Sequence, residues 1–333
     1  AEDDAGVVAQ DAVSRNLFSM AARVAQTDAT VLLTGESGVG KEVVARYIHQ
    51  HSARREGPFV AINCAAIPDT LLEATLFGYE KGAFTGAQQA QAGKFEQAQD
   101  GTLLLDEVTE MPLGLQAKLL RVLQEREVER VGGKKPVALN IRIVATSNRD
   151  MAEAVARGGF REDLFYRLNV FPLLIPALRQ RPDDVVALAR HFLATHGGMV
   201  GRVGMVLSAT AEMALRSHAW PGNVRELENV IQRAMILTPG DTVEVEHLHL
   251  MASPAGVAAN APVASALIPQ HAMLEKVEVL RADSIRDLER EHILETLAAV
   301  GGSRKAAIER LGISERTLRY KLKQYKEEGF FHE

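Results

Sequence analysis

The amino-acid sequence predicts an α/β protein with a parallel sheet, followed by an α-helical subdomain and a C-terminal all-α domain. Five short β-rich runs alternate with helical patterns between residues 30 and 174, the order expected of a parallel sheet covered by helices on both faces. From Asp183 to about Leu250 only helical patterns occur, and at least three helices are expected. The predicted strands are TVLLTG (30–35), FVAIN (59–63), TLLLDE (102–107), IRIVATSN (141–148) and VFPLL (170–174).

Composition shifts divide the chain into four predicted segments. The α/β core takes residues 1–178 and the helical subdomain residues 179–251. The stretch from Ala252 to Ala266 is rich in Ala, Pro and Gly and has no periodicity, which indicates a linker over residues 252–283. Ser284 opens a capping-box sequence before a periodic run, so the last domain is expected at residues 284–333.

Bulk composition excludes several classes of protein. Hydrophobic content of 47% and charged content of 24% are ordinary for a soluble globular chain. The net charge of −5 means that any nucleic-acid surface must be local. The single cysteine, Cys64, excludes a disulfide framework. No apolar run is long enough to span a bilayer, and the acidic N-terminus lacks a signal pattern, so we expect a cytoplasmic protein without a membrane partner.

A phosphate-binding loop is predicted between the first strand and the helix that follows it. GESGVGK at residues 35–41 has the spacing of a P-loop in the required strand–loop–helix context, although a Gly-rich turn would share the composition. Lys41 would reach the β- and γ-phosphates, whereas Glu42 occupies the position of the usual Ser or Thr that contacts magnesium. The predicted ATP-binding residues are Gly35, Glu36, Ser37, Gly38, Val39, Gly40, Lys41 and Glu42.

Two further strand ends carry candidate catalytic residues. Asp106 and Glu107 end an apolar strand, at the sheet edge where ligands bind in open α/β folds. We expect Asp106 to hold Mg²⁺ through water and Glu107 to orient and deprotonate the attacking water; alone, such a pair is more often a solvated turn. Ser147 and Asn148 end another strand and either sense the γ-phosphate or make turn hydrogen bonds.

These residues resemble those of the AAA+ activators of sigma-54 RNA polymerase, the bacterial enhancer-binding proteins. Glu42 after the lysine is usual in that family. Two stretches are most similar to the flagellar-gene activators of the FlrC/FleR type, which are response regulators. They are EATLFGYEKGAFTGA and LGLQAKLLRVLQEREVERVG. The resemblance rests on GESGVGKE, LFGYEKGAFTGA, GTLLLDEVTEMP, FREDLFYRLNVFPL and WPGNVREL.

The resemblance implies roles for residues that the pattern alone leaves as ordinary polar or charged positions. Asn63 matches a polar switch that hydrogen-bonds the catalytic glutamate, Glu107. Arg161 and Arg167 match arginines that a subunit offers to its neighbour's ATP, a task suited to the planar, permanently charged guanidinium. Arg225 matches a lid arginine that contacts the nucleotide.

The stretch GAFTGA is interpreted as a loop that contacts sigma-54. The residues alone describe a flexible loop that presents one aromatic ring and one hydroxyl, or a tight turn with Phe84 tucked into the core. The resemblance implies that the loop contacts sigma-54 and moves with the nucleotide state. The predicted contact residues are Gly82, Ala83, Phe84, Thr85, Gly86 and Ala87.

The C-terminal segment predicts a DNA-binding helix-turn-helix. Between Ser303 and Lys326 a local excess of Lys and Arg accompanies a helix–turn–helix pattern with Gly312 in the turn. A basic solvated helix is the alternative. The pattern resembles the Fis-type domain that ends most enhancer-binding proteins, with a second helix sized for the major groove. The candidate DNA contacts are Arg316, Thr317, Arg319, Tyr320 and Lys323.

Taken together, the sequence predicts an ATP-hydrolysing transcription activator. The resemblance implies that it binds enhancer-like double-stranded DNA, forms a hexameric or heptameric ring, and converts the closed complex of sigma-54 RNA polymerase into the open one. A sensor kinase would act only through a receiver domain that these residues do not contain. A DNA-binding regulator that uses ATP only as a ligand is the main alternative, and a DNA-translocating AAA+ motor is a third reading.

Overall fold

The computed structural model describes residues 7–199 and 201–250. The α/β part is built on one five-stranded sheet in which every neighbouring pair of strands is parallel. The sheet contains all five strands that the sequence predicts, in the order β2-β5-β8-β1-β9. Its strands are β1 (Val31–Thr34), β2 (Phe59–Asn63), β5 (Thr102–Asp106), β8 (Arg142–Ser147) and β9 (Phe171–Leu174).

Helices and two short hairpins surround this sheet. The hairpins pair β3 with β4 and β6 with β7, and the sequence did not predict them, because strands of two or three residues are too short to show a period of two. The helices are α1 (Ala12–Ala25), α2 (Lys41–Gln50), α3 (Asp69–Phe77), α4 (Lys94–Gln97), α5 (Leu113–Glu125), α6 (Met151–Ala156) and α7 (Glu162–Leu168). The hairpin strands are β3 (Gly78–Tyr79), β4 (Gln91–Ala92), β6 (Glu127–Glu129) and β7 (Pro136–Ala138).

Alternate residues of the central strands feed two separate cores, one on each face of the sheet. Leu103 and Leu105 of β5 join the core beneath α3, α5 and α7, whereas Leu104 between them joins the core beneath α1 and α2. Ile143 and Val144 of β8 divide in the same way. Since both faces are covered, the strands read as continuous apolar runs rather than as alternating ones.

The lid begins after β9 and has its own core. It consists of α8 (Pro182–Met199), α9 (Ala209–Ser217), α10 (Asn223–Leu237) and α11 (Val245–Leu248), together with β10 (Val206–Leu207) and β11 (Thr242–Val243). The sequence predicted only helices in the lid. That prediction is wrong, because the lid also contains a parallel pair of two-residue strands. Trp220 is fully buried in this core, and its indole N–H donates to the Leu215 carbonyl at 2.9 Å.

No helix within residues 7–199 and 201–250 has the length and apolar character needed to cross a bilayer. The predicted linker (252–283) and helix-turn-helix domain (284–333) lie outside the described residues.

Candidate functional site

The P-loop joins the end of β1 to the start of α2, as the sequence predicts. Gly35, Gly38 and Gly40 have φ angles of 150°, 78° and 100°, which residues with a Cβ adopt only with strain. Successive backbone amides in such a loop, followed by a helix N-terminus, form a concave anion site. The geometry therefore fits a phosphate.

Lys41, the first residue of α2, is buried beneath this loop. Its ammonium donates to the carbonyls of Gly35 at 2.9 Å and Glu36 at 3.1 Å, and it lies 3.9 Å from Glu107 Oε1. Burial lowers the pKa of Lys41, and the nearby carboxylates of Glu107 and Asp106 partly oppose that effect. The Lys41 ammonium is thus desolvated and held at the loop, where a bound phosphate would bring further negative charge to balance it.

The acidic pair lies at the carboxyl edge of β5, beside the P-loop. Burial raises the pKa of Glu107, Lys41 opposes the rise, and Asp106 adds to it. Glu107 has a left-handed backbone with φ 55° and ψ 51°, a strained conformation for a residue with a side chain. A carboxyl group with a raised pKa beside the P-loop lysine is suited to act as a general base.

Thr146 ties the acidic pair together, and sequence reasoning missed it. Its hydroxyl donates to Asp106 Oδ1 at 2.5 Å and accepts the backbone N–H of Glu107 at 2.9 Å. The side chain is fully buried in β8, next to β5. A threonine inside a strand looks like an ordinary β-branched residue in the sequence; only the neighbouring position of the two strands would have pointed to it.

The resemblance implied that Asn63 bonds Glu107, but the structure shows no such bond. The Asn63 amide donates to Asp106 Oδ2 at 3.2 Å, and its carbonyl oxygen accepts the N–H groups of Ala65 and Ala66. The cause is register: Asn63 pairs with Asp106 across β2 and β5, whereas Glu107 has already left the strand. In this structure the predicted switch therefore contacts Asp106 instead of Glu107.

Ser147 and Asn148 have different surroundings. Ser147 is buried, and its hydroxyl donates to the carbonyl and accepts the N–H of Arg149, which is the turn bonding considered as the alternative for this residue. Asn148 is exposed at the cleft, and its backbone N–H donates to Glu107 Oε2 at 3.3 Å. Of the two, Asn148 is the one that lies against the Glu107 carboxyl.

The sequence predicts that Glu42 contacts the nucleotide, but its side chain lies on the outer face of α2. Glu42 is exposed on α2 and pairs with Arg46 one turn later, at 2.7 Å. A side chain that pairs along the outer face of the helix is not directed into the phosphate loop.

Arg225 of the lid lies beside the P-loop. It belongs to the first turn of α10, and its guanidinium is 3.4 Å from the hydroxyl of Ser37 in the P-loop. A cleft of about 770 Å³ opens beside it, and P-loop and lid residues line that cleft together. The lining includes Glu36, Ser37, Asn148, Arg225, Asn229 and Arg233.

Arg161 and Arg167 lie near the two ends of α7, away from the P-loop contacts of their own chain. Arg161 forms a two-pronged pair with Asp163 at 3.0 and 2.8 Å. Arg167 is exposed and donates to the Leu123 carbonyl at 2.8 Å. Neither guanidinium bonds a residue of the P-loop or the acidic pair, so a role at a nucleotide would require the nucleotide of another subunit.

The Gly82–Ala87 segment is a closed turn between β3 and β4. The N–H of Gly82 donates to the Ala87 carbonyl at 2.8 Å, and Gly82 and Gly86 have positive φ angles of 82° and 105°. Phe84 is 44% exposed and has its ring edge-on to Tyr79. The alternative of a core-buried Phe84 is therefore wrong.

The surroundings of Asp106 show whether the residues present fit a Mg²⁺ ion. Each carboxylate oxygen of Asp106 accepts one hydrogen bond, from Thr146 or from Asn63, and keeps a lone pair free. No cluster of three or more metal-ligating side chains occurs in the described part of the chain. One carboxylate with nucleotide phosphates and water is the usual donor set for Mg²⁺, so the residues fit that ion.

The residues assigned to DNA lie outside the described residues. The helix-turn-helix interpretation of Arg316, Thr317, Arg319, Tyr320 and Lys323 therefore stays a sequence prediction for these side chains.

The chain matches known proteins over almost all of its length. Response regulator protein FleR of Pseudomonas aeruginosa is 54% identical over 340 residues, covering 98% of this chain and 72% of that protein. Transcriptional regulatory protein FlbD of Caulobacter vibrioides is 48% identical over 331 residues, covering 98% and 72%. The crystal structure of NtrX from Brucella abortus in complex with ATP matches with a TM-score of 0.67 and 33% identity, over 96% of this chain and 68% of that one.

Three family models match consecutive parts of the chain. They are the Sigma-54 interaction domain over residues 7–174, the AAA+ ATPase lid domain over residues 179–263, and the Fis-family bacterial regulatory protein over residues 284–325. The fold and the site geometry agree with this order, since a P-loop sheet domain is followed by a helical lid. The chain therefore belongs to the sigma-54-dependent AAA+ transcription activators that carry a helix-turn-helix DNA-binding domain.

Proposed function

We propose that the chain hydrolyses ATP and uses the hydrolysis to remodel sigma-54 RNA polymerase from the closed to the open promoter complex. The observation that carries this proposal is the placement of Glu107, with its raised pKa, 3.9 Å from the P-loop lysine. A protein that used ATP only as a ligand would need the phosphate loop but not a carboxyl held in a strained backbone beside it.

The residues would divide the reaction between them. The P-loop amides and Lys41 would bind the phosphates, with Lys41 exchanging its two carbonyl partners for phosphate oxygens. Asp106 would hold Mg²⁺ through water, and the ion would neutralise phosphate charge. Glu107 would take a proton from the attacking water, while Thr146 holds the Glu107 backbone N–H and the Asn148 N–H donates to the Glu107 carboxyl. Electrostatic positioning of this kind is how enzymes accelerate phosphoryl transfer.

Protomers would complete one another's sites in a hexameric or heptameric ring. Arg161 and Arg167 are exposed and away from the P-loop of their own chain, which suits arginines that act on a neighbour's nucleotide. An arginine supplied in this way is worth roughly 10³–10⁵ in rate in related nucleotide hydrolases.

The Gly82–Ala87 turn would transmit the nucleotide state to sigma-54. Its exposed Phe84 is a large apolar side chain between two flexible glycines, and such a side chain favours contact with a partner. The C-terminal domain would meanwhile bind enhancer-like DNA. The similarity to FleR and FlbD supports a role at flagellar genes and control by a sensor kinase through a receiver domain.

A sigma-54-dependent transcription assay with ATP and with a non-hydrolysable analogue tests this function. Open-complex formation should require hydrolysable ATP and should fail with Glu107→Gln, which keeps the volume of the side chain but not its basicity. If Glu107→Gln binds ATP and still activates, the protein is a regulator that uses ATP only as a ligand. Duplex unwinding without sigma-54 would instead favour a translocating motor.

A further inference from the structure

The lid helix α10 begins directly on the P-loop. The carbonyl oxygen of Gly38 accepts the N–H of Val224 at 2.9 Å and that of Arg225 at 3.3 Å. A Cβ at Gly38 would lie 2.6 Å from the Gly222 carbonyl oxygen, so only glycine permits this approach. A P-loop carbonyl thus satisfies two of the four free N–H groups with which every helix starts.

Asn223 adds a second connection at the same place. It is fully buried, with a left-handed backbone at φ 53°. Its side-chain amide donates to Glu36 Oε2 at 3.0 Å and to the Ser37 carbonyl at 3.1 Å, while its side-chain oxygen accepts the N–H of Leu178 at 2.8 Å. Asparagine tolerates this backbone better than most residues and supplies two donors and an acceptor on a short stem.

Glu36 is in turn held from the lid side. Both terminal nitrogens of Arg179 donate to its carboxylate, at 2.9 and 2.5 Å. Arg179 lies in the short turn that leads from β9 into α8. The P-loop residues Glu36 and Ser37 are therefore bonded at once to the beginning of the lid and to the first residue of α10.

We propose that Asn223 is a positioning residue for ATP, which fixes α10 against the P-loop so that Arg225 stands at the phosphate site. The inference rests on the proposed nucleotide site and assigns Asn223 no contact with the nucleotide. Arg225 is two residues further along the same first turn, so its guanidinium depends on the place where the helix starts. Without Asn223 the lid separates from the P-loop more often, and the fraction of molecules competent to bind ATP falls.

The test is the affinity of the full chain for a non-hydrolysable ATP analogue, measured by calorimetry together with the KM and kcat for ATP. Asn223→Gly suits φ 53° but removes all three side-chain bonds. Asn223→Asp keeps the shape but puts a carboxylate against Glu36 and the Ser37 carbonyl. Both variants should weaken analogue binding by about 10-fold to 100-fold, the equivalent of losing two or three hydrogen bonds, with a smaller change in kcat at saturating ATP.

A reversed pair separates positioning from general damage to the lid. In Glu36→Gln with Asn223→Asp, the new amide at position 36 can donate to the new carboxylate at position 223. This double variant should recover part of the affinity that Asn223→Asp loses, a result that loss of lid stability does not produce. Glu228→Gln is the matched control, since Glu228 lies on α10 but pairs with His196 instead of the P-loop.

Unchanged affinity in Asn223→Gly, or a double variant that binds no better than Asn223→Asp, would overturn the inference. Analogue binding is independent of hydrolysis. A wild-type protein that binds the analogue but releases no phosphate would therefore contradict the proposed ATPase while leaving the role of Asn223 to be decided by affinity.

Discussion

Thr146→Val is the substitution that most sharply tests how the acidic pair is held. Valine has nearly the same shape as threonine and suits a buried strand, so β8 should keep its packing. What it removes is one hydroxyl, which donates to Asp106 at 2.5 Å and accepts the Glu107 N–H at 2.9 Å. Any effect on catalysis must then come from those two bonds.

The expected magnitude follows from the two contacts. A buried N–H left without an acceptor costs about 1–3 kcal/mol, and a hydrogen bond to a charged group contributes about 1.5–3 kcal/mol. Asp106 keeps its bond from Asn63 and is partly open to solvent, so water offsets much of the second loss. A net cost of about 2 kcal/mol expressed at the reacting carboxyl lowers kcat about 30-fold.

Steady-state ATP hydrolysis by Thr146→Val and Thr146→Ser measures this cost. The serine variant keeps the hydroxyl and should stay close to wild type. The KM for ATP should change little in either variant, because the P-loop keeps its contacts and Asp106 keeps its bond from Asn63. A valine variant whose kcat stays within twofold of wild type would refute the view that this hydroxyl orders Asp106 and Glu107.

Three further predictions concern the base, the loop and the DNA-binding helix. Because burial raises the pKa of Glu107 above its ordinary 4.5, kcat/KM for ATP, which reports the pKa of the nucleotide-free enzyme, should fall on the acid side at a pH above 4.5. The raised pKa stabilises the folded chain below pH 4.5, and that stabilisation is lost as the pH rises through the raised pKa. Glu107→Gln should therefore melt at a higher temperature than wild type at neutral pH; an unchanged midpoint would argue against a desolvation cost at this carboxyl. Phe84→Ala should abolish sigma-54-dependent transcription while ATP turnover persists, and parallel loss of both would mean that the loop is structural. Arg319→Ala should weaken DNA binding, by about 1–3 kcal/mol if it reads a base, with ATP affinity unchanged; a mobility-shift titration that matches wild type would remove this residue from the DNA contact.

Most of the fold could be predicted because the central strands are buried on both faces. Continuous apolar runs such as Leu103–Leu105 mark strands of that kind, and all five sheet strands were identified. The β10–β11 pair and the two hairpins were missed, since elements of two or three residues leave no periodic pattern. The partners in the β10–β11 pair, such as Val206 and Thr242, are also distant in sequence.

The site was predicted where one motif carries the chemistry and missed where strand register does. Lys41 could be named from the spacing of the P-loop, and Glu107 from its place at a strand end together with the P-loop upstream. Thr146 and the Asn63–Asp106 contact follow from which strands are neighbours, and the order β2-β5-β8 is not written in any one segment. Asn223 lies in the same WPGNVREL stretch as Arg225, yet its role depends on a backbone conformation that the stretch does not reveal.

Binding of sigma-54 to the wild-type chain under different nucleotide conditions tests the central claim most directly, because the claim is that the nucleotide state controls the Gly82–Ala87 turn. Co-sedimentation should be compared for the nucleotide-free protein, the ADP-bound protein and the protein with ADP plus an analogue of the phosphate in transfer. We predict strong binding only with that analogue, and its loss in Phe84→Ala. Equal binding in all three conditions, or none in any of them, would contradict the account.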